Sequence, residues 1–135
     1  MTYLIIGFGG ALGTIARFWL SGVVGARYGE AFPLGTLVVN VSGSFAIGFI
    51  ASLTGAGGRW LIDPKWRQFF MVGFCGGYTT FSAFSLETLG LLRDREWLYA
   101  GSYAVLSFIL CLAAVWLGHV VAAALSPLSA LDVTE

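Results

Sequence analysis

The stretch GFCGGYTTFSAFS, residues 73–85, places small and hydroxyl-bearing residues inside an apolar segment of the chain. Gly76 and Gly77 are poor helix formers, each weaker than alanine by about 1 kcal/mol, and the residues after them compete for backbone hydrogen bonds. A helix that breaks within a bilayer frees carbonyl and amide groups that must face protein, water or an ion. Free carbonyls without a nearby carboxylate suit a monovalent cation such as Na⁺. The alternative is a kink that serves only helix packing.

Two aromatic rings and two hydroxyls follow the glycine pair, where the helix is predicted to resume. Phe81 and Phe84 lie on one stripe at a spacing of three, and Ser82 and Ser85 lie on another. Because an aromatic ring has a positive edge, two rings presented edge-on suit a small anion in a narrow path, to which hydroxyls donate hydrogen bonds. In the alternative interpretation the rings belong to the core and the serines bond back to their own helix.

Two further apolar segments carry polar residues at helical spacing. One segment places three of them on one face, namely Thr36, Asn40 and Ser44. The last segment does the same with Tyr103, Ser107 and Cys111. An asparagine inside a membrane is costly unless it is bonded, and its NH₂ group offers two donors. The competing interpretation is hydrogen bonding between helices. These neutral donors together favour a pathway for a small anion.

Three titratable residues also fall within apolar segments. Arg17 at a helix centre costs about 2.5–3.5 kcal/mol by insertion scales, so it either extends to the interface or supplies positive potential at a pore mouth. Glu87 is predicted to face water or to pair with a cation. His119 is predicted to be packed rather than to act as a ligand.

The composition explains where these residues must lie. The chain has 135 residues, of which 58% are hydrophobic and 10% charged, with a mean hydropathy of +0.86. We predict an all-α integral membrane protein, a single four-helix domain over residues 1–135, multi-pass in the cell membrane. The spans are expected at about 3–23, 34–54, 67–92 and 98–125, with the third broken in mid-membrane. We expect the N-terminus to belong to the first span rather than to a removed signal peptide, and the tail after Pro127 to fray.

The loop charges bear on orientation and assembly. Loop two carries three basic residues, and so do loops one and three together: Arg59, Lys65 and Arg67 against Arg27, Arg93 and Arg95. Since a Lys/Arg bias normally sets orientation, the chain is predicted to insert both ways round, and an antiparallel two-fold dimer is then the natural closed assembly. Close helix approach is expected at the small-residue pairs Gly9/Gly13 and Gly118/Ala122.

Several functional classes are disfavoured. No Ser/His/Asp arrangement, HExxH motif, metal-spaced Cys/His set or phosphate-binding loop is present, so an enzyme is not expected. The net charge is zero and no basic tract indicates a nucleic-acid partner. Cys75 and Cys111 both fall in apolar runs, which is typical of free thiols.

Three motifs in this order resemble the Fluc (CrcB-like) fluoride channels, a family of small four-span membrane proteins. They are GGALGTIAR (9–17), GTLVVNVSGSF (35–45) and GFCGGYTTFSAFSLET (73–88). The resemblance spans the whole length. It implies a fluoride-selective passive channel of the cell (inner) membrane that lets cytoplasmic fluoride leave. It also implies a dual-topology antiparallel homodimer with two pores and a structural Na⁺ at its centre.

The resemblance also assigns roles to residues of this chain. It implies that backbone carbonyls of Gly76 and Thr79 hold Na⁺, that Asn40 donates into the pore, and that Arg17 lies near a vestibule. The remaining pathway residues would be Phe81, Phe84, Ser82, Ser85, Tyr103, Ser107 and Thr36, with Glu87 as a possible polar partner. Ala83 and Cys111 are mild departures, since the family often has hydroxyls there.

Two other functions stay open at the level of sequence. A small dual-topology proton-coupled multidrug exporter needs a membrane-embedded carboxylate, and Glu87 is the only candidate within the spans. A non-transporting scaffold subunit would need a polar patch facing its partner, whereas the polar residues here lie within the spans.

Overall fold

The computed structural model describes residues 1–55, 58 and 60–125. Every regular element in this part of the chain is helical, so the all-α prediction is confirmed. The elements are α1 (Thr2–Tyr28), α2 (Leu34–Thr54), α3 (Pro64–Gln68), a π-helical segment (Phe69–Cys75), α4 (Gly76–Tyr78), α5 (Phe81–Arg93) and α6 (Trp97–Ala124). The predicted fraying after Pro127 lies outside the described residues.

Four helical stretches are long and apolar enough to cross a membrane, as the sequence predicted. They are Thr2–Tyr28, Leu34–Thr54, Pro64–Arg93 and Trp97–Ala124. Only 11–28% of the residues in their most apolar windows are buried within the chain. Large apolar side chains such as Phe18 (84% exposed) and Leu98 (82% exposed) therefore point outward, which suits a protein whose solvent is lipid.

The helix ends follow local chemistry. Pro33 precedes the first residue of α2 and Pro64 is the first residue of α3, where a missing N–H leaves no hydrogen bond unmade. The Asp63 carboxylate caps α3 by accepting the Lys65 amide at 2.9 Å. That backbone hydrogen bond, together with the Lys65 ammonium, lowers the pKa of Asp63.

A tight turn joins α5 to α6. The Glu96 amide donates to the Leu91 carbonyl at 2.9 Å and the Arg95 amide donates to the Leu92 carbonyl at 3.2 Å. This pair of bonds defines a Schellman motif, which requires a left-handed residue just past the helix. Arg95 takes that conformation with φ 63°, at a position where glycine is usual.

Small residues bring the spans into close contact, as predicted for Gly9, Gly13 and Gly118. A β-carbon on Gly13 would lie 2.8 Å from the Tyr78 nitrogen, so α1 packs directly on the third span. A β-carbon on Gly118 would lie 2.8 Å from the Phe49 nitrogen, so α6 packs directly on α2. Two closely packed helix pairs thus position the polar residues between them.

Candidate functional site

The third span leaves helical geometry after the glycine pair and not at it: Gly76 and Gly77 were predicted to break the helix but remain helical. The π-helical segment ends at Cys75, α4 is a single turn, and Thr79 (ψ 156°) and Thr80 (φ −151°, ψ 117°) are extended before α5 begins. The hydroxyl of Thr80 accepts the Ala83 amide at 3.1 Å and so caps α5. Threonine is a favoured N-cap residue, so the sequence contained a signal for this cap, but Thr80 was not among the predicted site residues.

Asn40 on α2 is bonded to the backbone of this extended segment. Its Nδ2 donates to the Thr80 carbonyl at 3.0 Å, and its Oδ1 accepts the Thr80 amide at 2.8 Å. The Asn40 side chain therefore replaces the helical partners that Thr80 lacks. One of its two amide hydrogens is used in this pair, which leaves the other for a second acceptor.

The same pairing affects the Gly76 carbonyl. In a continuous α-helix the Thr80 amide would reach that carbonyl four residues earlier, but here it donates to Asn40. Gly76 is also exposed, whereas Cys75 before it is buried. Among the described residues no cluster of three His, Cys, Asp or Glu side chains is placed to hold a metal ion. The oxygen atoms available to a cation at this segment are backbone carbonyls and the threonine hydroxyls.

A groove of about 590 Å³ lies beside the Thr79–Thr80 segment, between α2, α5 and α6. Most of its wall is apolar, and the polar side chains or free backbone groups come from a few positions. These are Asn40, Ser44, Gly76, Thr79, Thr80, Ser107 and Cys111. Phe81 and Phe84 also line the groove. The fold thus brings together candidate residues from three separate spans.

Phe81 and Phe84 form a pair at the groove wall. Their ring centroids are 5.3 Å apart at 43°, and Phe84 also contacts Tyr103 with centroids 5.1 Å apart. Phe81 is 77% exposed in the single chain. The interpretation of this ring as part of the chain's own core is therefore wrong. An exposed aromatic ring at a groove is available to a ligand or to a second protein surface.

The two serines of the FSAFS motif do not line the groove. Ser85 donates to the Phe81 carbonyl at 2.8 Å, four residues earlier in its own helix. Ser82 lies 3.2 Å from the Thr80 hydroxyl, next to the helix cap. For Ser85 the structure agrees with the alternative interpretation, in which the serines bond back to their own helix.

Glu87 lies in a second polar cluster, which we call the Glu87 cluster and which consists of Thr36, Glu87 and Tyr103. Thr36 donates to Glu87 Oε1 at 2.7 Å, and Tyr103 donates to Oε2 at 2.6 Å. Thr36 is 7% exposed and Tyr103 is fully buried. Glu87 thus binds two hydroxyls of this chain, rather than the water or the cation that the sequence suggested. Both oxygen–oxygen distances are at the short end for O–H···O hydrogen bonds.

Two candidate residues have a buried polar atom without a partner. Ser107 is 8% exposed and lines the groove, and its Oγ makes no hydrogen bond within the described residues. The Nε atom of Arg17 is likewise buried without an acceptor in that part of the chain. Buried polar groups are normally paired, so both atoms are candidates to meet a ligand.

His119 is a correction to the sequence analysis. We expected it to be packed, but it is exposed, and its Nδ1 lies 2.7 Å from the Ser52 hydroxyl. Ser52 is on α2 and His119 on α6, so this pair links two spans that already pack closely.

Phe108 and Ala104 on α6 also form part of the apolar groove wall. They were missed because they carry no signal beyond hydrophobicity.

These features define a class: a four-span membrane protein with a groove where an extended segment interrupts the third span. A sequence model of the family described as CrcB-like protein, Camphor Resistance (CrcB), matches residues 4–119. The chain belongs to this family.

Named relatives agree with the family match. One from Rhodospirillum rubrum is 58% identical over 120 residues, covering 89% of this chain and 93% of its own. One from Opitutus terrae is 59% identical over 126 residues, with coverage of 93% and 96%. One from Methylocella silvestris is 56% identical with the same coverage. All three are named "Fluoride-specific ion channel FluC". With its four membrane-spanning helices, this chain is a multi-pass protein of the cell membrane and not an enzyme.

Proposed function

We propose that this protein is a passive fluoride-selective channel that lets cytoplasmic fluoride leave the cell. The observation that carries the proposal is the groove, which joins neutral donors to aromatic rings, in a chain more than half identical to relatives named as fluoride channels. Hydrogen fluoride enters a cell as a neutral weak acid and dissociates inside. A passive anion path then lets fluoride move toward the positive exterior.

The groove supplies what a small dehydrated anion needs. Asn40 has an amide hydrogen left over from its pairing with Thr80, and the buried Ser107 hydroxyl has no partner in the described part of the chain. Both therefore donate to fluoride in place of water. Phe81 and Phe84 narrow the path and offer positive ring edges. Because these donors are neutral, they bind the anion without the strong hold that would stop it from leaving.

The other predicted pathway residues lie next to the groove or extend the polar path beyond it. The Glu87 cluster, with Thr36 and Tyr103, lies one helical turn from Asn40 and Ser107, and continues the polar path along α2 and α6. Ser82 and Ser85 are on α5 near Phe81: Ser82 follows it in the chain, and Ser85 donates to its backbone carbonyl. Arg17, with a buried Nε in need of an acceptor, supplies positive potential at a vestibule.

We further propose that the working unit is an antiparallel dual-topology homodimer. A single chain leaves Phe81 77% exposed and the groove open on one side, so a second copy is needed to close the path against lipid. The equal numbers of basic residues on the two loop sides favour insertion in both orientations. In this assembly the break lies in mid-membrane, where its backbone groups are covered by the partner.

A structural Na⁺ fits the break. The Gly76 carbonyl has lost its helical donor to the Asn40 pairing, Gly76 is exposed, and Thr79 is extended rather than helical. We propose that carbonyl oxygens of Gly76 and Thr79 hold the ion at the dimer centre, since carbonyl oxygen is a suitable ligand for a hard cation. When bound, Na⁺ supplies positive charge that balances these dipoles.

Fluoride efflux from liposomes tests the channel. Purified protein is reconstituted in vesicles loaded with KF, valinomycin is added, and external fluoride is followed with an electrode. We expect fast efflux that vesicles loaded with KCl do not reproduce for chloride, and its loss in Phe81→Ile. Phe18→Ile is the matched control, because Phe18 is also an exposed phenylalanine (84%) but lies on α1, away from the groove lining. No efflux above protein-free vesicles, from folded dimeric protein, would contradict the proposal and reopen the exporter and scaffold alternatives.

Opposite charge bias tests the antiparallel dimer. Arg93→Gln/Arg95→Gln removes basic residues from one loop side, and Arg59→Gln/Lys65→Gln removes them from the other. Each variant alone is expected to adopt one orientation and lose efflux, whereas co-expression of the two restores it. Full efflux from either biased variant alone, with reporters that show a single orientation, would exclude the antiparallel unit.

A further inference from the structure

Tyr78, the last residue of α4, makes a contact that the fluoride path does not use. Its hydroxyl lies 2.8 Å from the hydroxyl of Ser42 on α2. The Ser42 hydroxyl also lies 2.7 Å from the Val38 carbonyl and 3.1 Å from the Val39 carbonyl. A serine hydroxyl has one proton. When this proton goes to a carbonyl of α2, Tyr78 is the donor in its bond with Ser42.

The ring of Tyr78 is also fixed. A β-carbon on Gly43 would lie 3.0 Å from Tyr78 Cδ1 and would also meet the Thr79 methyl group, so both residues sit directly on this glycine. On the other side Tyr78 stacks on Phe74, with ring centroids 5.9 Å apart at 11°. The tyrosine is thus seated against α2 and against the π-helical segment before it.

Asn40 and Ser42, both on α2, bond to two nearby residues of the third span, Thr80 and Tyr78. Asn40 binds the backbone of Thr80, and Tyr78 binds Ser42, two residues further along α2. The backbone from Gly76 to Thr79 includes Tyr78, so the bond between Tyr78 and Ser42 holds this stretch of backbone against α2. The helix ends here: the amide and the hydroxyl of Thr79 both donate to the Cys75 carbonyl, at 3.0 and 2.9 Å, while the Gly76 carbonyl has lost the Thr80 amide to Asn40. The side chain of Tyr78 is a further contact that holds this helix end against α2.

We propose that Tyr78 is a positioning residue for the cation at the break: its bond to Ser42 holds the Gly76 and Thr79 carbonyls in the arrangement that binds Na⁺. This inference rests on the proposed Na⁺ site. Preorganised ligands bind more tightly than ligands that must be ordered on binding. Loss of the Tyr78 hydroxyl therefore weakens Na⁺ binding while the carbonyl ligands themselves are kept.

The test measures Na⁺ binding through thermal unfolding. The unfolding midpoint of the purified protein in detergent is followed from zero to high NaCl, with N-methylglucamine chloride keeping the ionic strength constant. A bound ion stabilises the folded state, so the midpoint rises with Na⁺ and gives a half-saturating concentration. Tyr78→Phe is expected to raise that concentration about three- to tenfold, the equivalent of one hydrogen bond. A purely structural role would lower the midpoint equally at every Na⁺ concentration.

Two further variants make the result specific. Ser42→Ala removes the acceptor and is expected to give the same shift as Tyr78→Phe, and the double variant no more than either alone. Tyr99→Phe is the matched control, because Tyr99 is a half-exposed tyrosine on α6 that contacts Phe32 and not the break. It is expected to leave the half-saturating concentration unchanged.

The outcomes separate this inference from the channel proposal. A half-saturating Na⁺ concentration within twofold of wild type in Tyr78→Phe overturns the positioning role. So does a wild-type protein whose midpoint does not respond to Na⁺. Fluoride efflux is measured on the same preparation: if wild type conducts, the channel proposal stands and only the positioning role falls. If wild type does not conduct, the channel proposal falls as well.

Discussion

Two polar clusters lie one helical turn apart along α2 and α6, and they differ in how many of their hydrogen bonds are made. In the Glu87 cluster, Thr36 and Tyr103 each donate to one carboxylate oxygen at 2.7 and 2.6 Å. In the groove, Ser107 has no partner within the described residues and Asn40 keeps one free amide hydrogen. The donors of the Glu87 cluster are bonded within the cluster, whereas the groove has donors that are available to a ligand.

This difference shows how one membrane protein uses similar residues for two purposes. A satisfied buried cluster stabilises the fold, and removal of one partner leaves another buried group unpaired. A cluster with spare donors contributes less stability but can exchange water for an anion. The spacing of four that links Thr36 to Asn40, and Tyr103 to Ser107, gives each helix one residue of each kind.

Among the substitutions that test this comparison, Asn40→Leu is expected to have the largest effect, because this side chain serves both the groove and the break. The substitution leaves the amide and the carbonyl of Thr80 unpaired, and each such group costs about 1–3 kcal/mol when buried. We expect fluoride efflux from liposomes to fall by about 100-fold, which corresponds to about 2.7 kcal/mol in a barrier. Ser52→Ala, a polar substitution elsewhere on α2, is the control. Efflux within threefold of wild type would separate Asn40 from the path.

Tyr103→Phe is expected to have the next largest effect, on stability. It removes a 2.6 Å hydrogen bond made by a fully buried tyrosine and leaves a Glu87 oxygen without that donor, and a buried group left unpaired costs about 1–3 kcal/mol. The free energy of unfolding, measured by SDS titration in mixed micelles, should fall by that amount. Thr36→Val should give a similar loss. If both variants are as stable as wild type, the hydrogen bonds of the Glu87 cluster do not stabilise the fold, and the contrast with the groove is contradicted.

Ser107→Ala is the matched substitution one turn further along α6, and the expectation is reversed. Because its hydroxyl is buried without a partner, its removal should change the free energy of unfolding by no more than about 0.5 kcal/mol. Efflux should fall about tenfold, since one donor to the anion is lost. A stability loss as large as that of Tyr103→Phe would abolish the contrast between the clusters.

Arg95→Gly is expected to have the smallest effect and lies outside both clusters. Arg95 adopts φ 63° in the turn after α5, which costs a residue with a side chain about 1–2 kcal/mol relative to glycine. We expect Arg95→Gly to raise the free energy of unfolding by about 1 kcal/mol and to conduct as well as Arg95→Ala, which loses the same loop charge. Arg95→Ala removes the same charge but keeps the backbone strain. If Arg95→Ala does not stabilise the protein, the gain in Arg95→Gly comes from relief of strain and not from loss of the charge.

Most of the architecture was predictable from the sequence because the bilayer restricts the choices. Four apolar runs predicted the four spans, and the predicted second span, 34–54, coincides with α2 (Leu34–Thr54). Pro33 and Pro64 marked the starts of α2 and α3 for a local reason, their missing N–H. The i, i+4 spacing of Thr36 and Asn40 correctly placed both on the inner side of α2.

The partners of the polar residues were not predictable in the same way. The position of Glu87 in the sequence did not show that its two oxygens meet Thr36, 51 residues away, and Tyr103, 16 residues away. The sequence likewise did not show that Ser85 bonds to its own helix, or that His119 is exposed beside Ser52. Each of these outcomes depends on which faces of the helices meet.

The sequence by itself determined that this chain is helical and membrane-spanning. Composition and helical period are local properties, and lipid leaves the backbone few other structures. Only the tertiary structure decided that Asn40 replaces the helical partners of Thr80, that Tyr78 bonds to Ser42, and that Ser107 has no partner among the described residues. The physical reason is that a hydrogen bond depends on distance and direction between atoms of different spans, which the packing of the helices sets.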